Sequence, residues 1–209
     1  RSDGAGDRST IARAAARAGL EFVILTDHGD ATRTPDPPAY VEGVLCIDAV
    51  EISTNGGHLI ALDMAAAPYP LGGEAAAVVE DVTRLGGMAV VAHPDSPKGE
   101  LAWKDWALPI GGMEWLNLDS GWRDETRPRL ARVAVDSFFR PGPALASLLN
   151  RNSTALARWD QITPARAVVG LSGHDAHGGL SRGSEEGSAW NVPRFLSPGL
   201  VSYDASFAT

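Results

Sequence analysis

The chain of 209 residues holds one cysteine, Cys46, so an intrachain disulfide and a cysteine-based zinc knuckle are both excluded. Cys46 falls inside the apolar run VLCIDAVEI, where a thiol packs as a small hydrophobe, and it is expected in the core. No apolar stretch reaches the length of a membrane span, and no signal peptide is visible. Positive charge is scarce: 18 Lys and Arg stand against 26 Asp and Glu, a formal net charge of -8. That balance lacks the basic stripe with which a duplex-binding protein neutralises phosphates, so general nucleic-acid binding is not expected. It does not count against an anionic substrate, because cations held by some of those acids would reverse the local sign. The phosphate-loop spacing with its terminal lysine and the Rossmann glycine fingerprint are also missing, which argues against nucleotide-loop enzymes. The chain opens at RSDGAGD without an initiator methionine; the expectation is that the true N-terminus lies upstream, and the compartment is not readable.

What is present is alternation. The length suits one α/β domain with a substantial core. After Ser9 or Thr10 as N-cap, IARAAARAGL has helix-forming composition and ends on Gly19, and the apolar run FVILT follows as a buried strand. VLCIDAVEIS and GHLIALDM are two further strands, separated by the turn-rich TNGG. EAAAVVEDVTRLGG reads as a helix closed by glycines, and MAVVAHP, MEWLNLDS and ARAVVGLSGHDAH as strands. ETRPRLARVAVDSFF and ALASLLNRN are helical, interrupted around Pro141 and Pro143. Six strands alternating with helices predict a parallel sheet covered by helices, with the strand C-termini gathered on one rim. Residues 1–177 form that domain, and the Gly-, Ser- and Pro-rich residues 178–209 read as a wrapping or linking segment.

All five histidines, His28, His58, His93, His174 and His177, fall at or beside a predicted strand terminus. Glu51 ends DAVE, and Asp175 stands two residues before His177, a spacing that points both side chains the same way along an extended segment. Imidazoles and carboxylates converging on one rim form a nitrogen and oxygen set suited to zinc, manganese or iron. Alternation turns Asp27 away from His28 and His174 away from Asp175, so both stay outside the ligand set. A serine triad around Ser172 lacks the glycine-flanked nucleophile elbow, and covalent catalysis is poorly supported.

In order along the chain, SDGAGDRSTIARAAARAGLEFVILTDHGD, VEIS, GGHLIAL, VVAHPD and SGHDAH resemble the motifs of the polymerase and histidinol phosphatase (PHP) family. GMEWLNLDSGWRDE and SYDASF resemble its carbaryl-hydrolase-type, CehA/McbA-like branch. The resemblance implies a distorted seven-stranded (βα)7 TIM-like barrel whose first strand is missing from this chain. It also implies two or three divalent ions, zinc, manganese or iron, at the C-terminal rim. Asp3, His28 and His177 would hold one metal. Glu51 would bridge the other two, with His58 and His93 joining it on the second. Asp175 would serve the first beside a His-x-His pair that this chain lacks. Glu51, His93 and Asp175 are the expected catalytic residues, and Lys98, Trp122 and Arg123 the candidate substrate contacts.

The resulting reading is a metal-dependent hydrolase: a phosphoesterase that turns a metal-activated hydroxide on a small phosphorylated molecule. The alternatives are a carboxylic or carbamate ester hydrolase, with a wall of Trp103, Trp106, Trp115 and Trp122, and a non-catalytic metal-binding scaffold. The expected partner is a small-molecule ester.

Overall fold

The computed structural model describes residues 4, 6–149, 153–177 and 202–208, without the side chains of residues 119, 122 and 153. Its first helix, α1 (Arg8–Arg17), starts two or three residues earlier than the sequence pattern suggests. The cap is Asp7, whose carboxylate accepts the Thr10 N–H at 2.7 Å and satisfies one of the free amides of the first turn. The helix ends as read: Gly19 takes a φ of 78°. Its N–H donates to Ala16, and the next donates to Ala15, the paired bonds of a Schellman stop. α2 (Ala75–Arg84) closes in the same manner at Gly86 and Gly87, whose N–H groups reach Thr83 and Val82.

Among the described residues one sheet carries every strand: β1 (Phe22–His28), β2 (Ala39–Val41), β3 (Val44–Thr54), β4 (Gly57–Leu62), β5 (Met88–Val91), β6 (Gly112–Asn117) and β7 (Val169–Gly173). The spatial order is β1-β3-β4-β5-β6-β7, with β2 added on β3, and the whole is a curled part-barrel. The sheet is mixed, which corrects the all-parallel expectation. β4 runs antiparallel to both β3 and β5. The reason is the connection: Thr54 pairs with Gly57 across a turn of Asn55 and Gly56, too short for the crossover that a parallel neighbour needs.

Helices cover the outer face. Val78, Val79 and Val82 of α2 pack on Ile52, Leu59, Val91 and Met113, and Ala12 and Ala15 of α1 on Val23, Val44 and the fully buried Cys46. Alternation puts Ala49, Ile60, Val90 and Ala92 on the inner face. After β6 the chain turns straight into α3 (Leu118–Arg123), where the sequence pattern prolongs the strand. α4 (Arg127–Phe139) and α5 (Pro141–Ala146) are separate helices because Pro141 opens the second one, as the prolines imply. α6 (Ser153–Ile162) buries Ala155 in the outer core, and α7 (Tyr203–Phe207) packs on α1 and α5. Residues 178–201, most of the expected wrapping segment, lie outside the described residues. No helix among the described residues is long and apolar enough to cross a membrane.

Candidate metal centre

The reversed β4 places His58. In register, Ser53 of β3 faces His58, so the first residues of β4 lie at the rim where β3 ends. β1 and β3 run parallel with His28 opposite Glu51. Strand periodicity then turns His28, Glu51 and His58 to the inner face, on the same side as Ile24, Ala49 and Ile60. Asp27, one residue off that phase, is exposed.

His93 reaches the same point by breaking the rule. Val91 faces the outer core and Ala92 the inner one, so a continued strand would turn His93 outward. Instead its φ is 29°, a left-handed value rare for a non-glycine residue, and the ring swings inward.

The result is one carboxylate oxygen shared by two imidazoles. Nδ1 of His58 lies 2.7 Å and Nε2 of His93 3.0 Å from Oε1 of Glu51. Donor atoms of His28, Glu51 and His58 all fall within 4.8 Å of one another. The rings stack edge to face, 5.5 Å between His28 and His58 and 5.0 Å between His58 and His93. Ser53 Oγ stands 3.3 Å from Nε2 of His58, a contact that leaves Nδ1 to face the cluster.

Burial works against the Glu51 anion, but the hydrogen bonds of His58 and His93 override it and hold its pKa well below the usual carboxylate range. His93 shows the reciprocal effect: burial disfavours the cation, yet its bond and attraction to Glu51 push it up to about 9. Its Nδ1 is buried with no hydrogen-bond partner among the described residues.

This donor set fits a divalent ion. Three imidazoles crowd one buried carboxylate, and nitrogen plus oxygen donors at that spacing suit zinc, manganese or iron. His28, Glu51, His58 and His93 are the side chains brought together.

The remaining expected residues lie in several places. Asp175, at a φ of 47°, faces His177 with 3.8 Å between Oδ1 and Nε2, and its charge bears on His93. Asp3 lies outside the described residues, so its place beside His28 and His177 is not given. Lys98 is exposed in the loop after β5, and Arg123 is exposed at the end of α3. Trp122 belongs to α3, its side chain outside the described set. His174 packs on Phe207 at 5.5 Å, and burial lowers its pKa. The expected tryptophan wall is corrected: Trp103 is buried in the outer core and Trp106 packs against it, because the segment between β5 and β6 that carries both adds its apolar side chains to that core. Of the four, Trp115 borders a cavity of about 370 Å³ beside His93, together with Pro94, Asp95, Glu114 and Asn117.

Sequence reasoning missed Glu114. Its carboxylate is buried on the rim, accepting the His93 N–H at 2.7 Å and the Asn117 side-chain N–H at 3.0 Å. The signal was available: a glutamate between Met113 and Trp115 in a strand expected to be buried needs a partner.

Fold and site together define an α/β part-barrel with a candidate metal centre at the rim where most of its strands end. No protein-family model and no curated protein matches the chain. Among solved structures, PsfC from Pseudomonas syringae is similar over 84% of this chain and 72% of that one, at 14% identity and a TM-score of 0.50, a likeness of fold. A two-domain protein from Bacteroides vulgatus, containing a predicted PHP-like metal-dependent phosphoesterase, matches over 56% of this chain and 41% of its own, at 19% identity and a TM-score of 0.39. Endonuclease Q, in complex with a 27-mer duplex bearing an abasic lesion, matches over 50% of this chain at 19% identity and a TM-score of 0.35. The chain spans 36% of the endonuclease Q chains it matches.

The expectation of no general nucleic-acid binding is corrected to this extent: endonuclease Q, among the matched structures, is in complex with a DNA duplex. The physical reason is that net charge sums over the whole surface, whereas the field at a cleft is set locally.

Proposed function

We propose that the chain is a metal-dependent hydrolase of the PHP type, cleaving phosphate esters. The observation that carries this reading is the Glu51 oxygen lying 2.7 Å from His58 and 3.0 Å from His93, with His28 alongside. The curled sheet, read as the greater part of a (βα)7-type barrel, supports it by gathering these residues on one rim.

Glu51, His58, His93 and His28 would hold the ion or ions. Divalent ions held there would polarise a non-bridging P–O oxygen of the substrate, stabilise the leaving oxygen of the ester bond that breaks, and lower the pKa of a bound water. Glu51 supplies the buried negative charge that anchors the cluster, and its depressed pKa keeps that charge at neutral pH. Asp175 and His177, both partly exposed and 3.8 Å apart, would accept and pass on a proton from the attacking water. His93 links the two groups through Glu51 on one side and the charge of Asp175 on the other.

One observation favours a second reading. The cavity beside His93 is lined, among the described residues, by no lysine or arginine. Phosphate is usually gripped by such cations, so hydrolysis of a neutral carboxylic or carbamate ester is the competing activity. The test is to strip the protein of metal, restore zinc, manganese or iron separately, and assay phosphomonoesters, phosphodiesters including duplex DNA, and aryl esters. Metal-dependent turnover of a phosphate ester is the expected result. Turnover of aryl esters alone would replace the first reading with the second. Metal uptake without turnover of either would make the chain a scaffold.

A further inference from the structure

Glu114 is a second buried carboxylate on this rim, and the expected ligand set gives it no task. An ionisable side chain inside an apolar strand is unfavourable unless its oxygens are used. One oxygen is used twice: Oε2 accepts the backbone N–H of His93 and the side-chain N–H of Asn117. The carboxylate also abuts Gly173 of β7, Oε1 nearest: a Cβ there would fall 2.6 Å from its Cδ and nearer still to Oε1, closer than real atoms approach. Glycine at 173 leaves the room that the carboxylate fills. Glu114 thus touches three strand ends, at positions 93, 117 and 173.

The bond to His93 has a directional consequence. The ladder between β4 and β5 ends where the Ala92 N–H donates to the His58 carbonyl at 3.2 Å. One residue on, the chain enters the left-handed region at a φ of 29°, and the His93 N–H leaves the ladder. A buried N–H without an acceptor is rare, and a non-glycine residue stays left-handed only where its surroundings hold it there. Oε2 of Glu114 is that acceptor. The same corner turns the His93 ring from the helix-covered face to the inner face, where Nε2 meets Glu51.

We propose that Glu114 is a positioning residue: its carboxylate holds the His93 backbone in the left-handed corner and so aims the imidazole at the Glu51 cluster. In this role it acts through His93, although its side chain also borders the cavity beside that residue. The assignment rests on reading Glu51, His58 and His93 as metal ligands.

The test compares the wild type with Glu114→Gln, Glu114→Met and Gly173→Ala in the metal-free and cobalt(II)-loaded protein. Glutamine retains a carbonyl oxygen to accept the His93 N–H. Methionine retains the volume alone, and alanine at 173 displaces the carboxylate without removing it. Expected are a cobalt dissociation constant within threefold of wild type for Glu114→Gln, and a weakening of about 10- to 100-fold, with a shifted visible spectrum, for the other two. On a substrate the wild type turns over, Glu114→Met should lower kcat with little change in KM.

Wild-type affinity and spectrum in Glu114→Met would mean that Glu114 only fills space. A loss in Glu114→Gln equal to that in Glu114→Met would make the charge decisive, and Glu114 a ligand. Unchanged affinity in Gly173→Ala, which does not truncate the glutamate, would equally overturn the proposal, including where Glu114→Met fails to fold. Amide exchange at His93 in the metal-free protein separates the two layers: it should be faster in Glu114→Met than in Glu114→Gln. If the wild type binds no cobalt while that difference is seen, the metal reading falls and the clamp stands; no difference removes the clamp.

Discussion

Glu51 and Glu114 are buried alike, 6% and 8% exposed, on neighbouring stretches of one rim, yet their pKa values move in opposite directions. Around Glu51 stand imidazoles, and the carboxyl is held ionised. Around Glu114 stands another carboxylate: burial first, then the charge of Asp175, pushes it up to about 7 despite its bonds from His93 and Asn117. Desolvation opposes both anions, and the neighbours decide. The rim therefore divides into a half rich in imidazole that can take up a cation and a half rich in carboxylate that can hold a proton.

The largest test of that division is Glu51→Gln. On the proposed ligand set, removing the only carboxylate among the four converging side chains should lower metal content and hydrolysis by at least about 100-fold, measured by elemental analysis and turnover. Metal retained at wild-type level would show that the imidazole half is not the binding half.

Next comes Asp175→Asn, read by carbon NMR of the Glu114 carboxyl in metal-free protein. The Glu114 pKa should fall from about 7 towards the ordinary 4.5, since a repelling charge is lost. The sign for stability follows. An acid whose pKa is raised in the fold loses stability as pH climbs from 4.5 through about 7, and the variant should lose less across that window.

His93 gives a smaller effect at higher pH. Its pKa is raised from 6.5 to about 9, so its contribution is complete below 6.5 and fades as pH rises through about 9. The melting temperature of metal-free protein should fall across that range, and His93→Gln should flatten the fall. Added metal should reverse the slope, because the ion takes the place of the proton.

The smallest effect belongs to Asp27→Asn. Asp27 is exposed on the face opposite His28, and metal affinity should stay within about twofold by titration. A loss like that of Glu51→Gln would break the assignment of faces.

How much of this was legible follows from the kind of signal each feature leaves. Apolar runs ending in polar residues mark β1, β3 and β5, and the period of two separates Asp27 from His28. The reversal of β4 hides in TNGG, which tells of a short connection without by itself giving the strand direction. Once direction is known, His58 at the start of its strand belongs on the rim. The inward turn of His93 lies beyond periodicity altogether, because a left-handed residue before Pro94 defies both alternation and the usual preference of that position. Glu114 was legible only as an anomaly. Its partner, a backbone N–H 21 residues back in the chain, leaves no mark in composition.

The hairpin that reverses β4 also orders the assembly of the site in time. Glu51 and His58 are separated by seven residues and meet as soon as a short turn closes. Glu51 and His93 are 42 residues apart, and their meeting waits for the excursion through α2. Closing the longer loop costs about 1.5 kcal/mol more in chain entropy, since that cost grows with the logarithm of length. Half of the ligand set is thus local and half is not, and contacts of low sequence separation form early. If the proposed site is filled, an ion arriving during folding would find the hairpin donors already paired, its binding would draw in the distant His93, and metal would act as the fastener of the crossover instead of the seed of the fold.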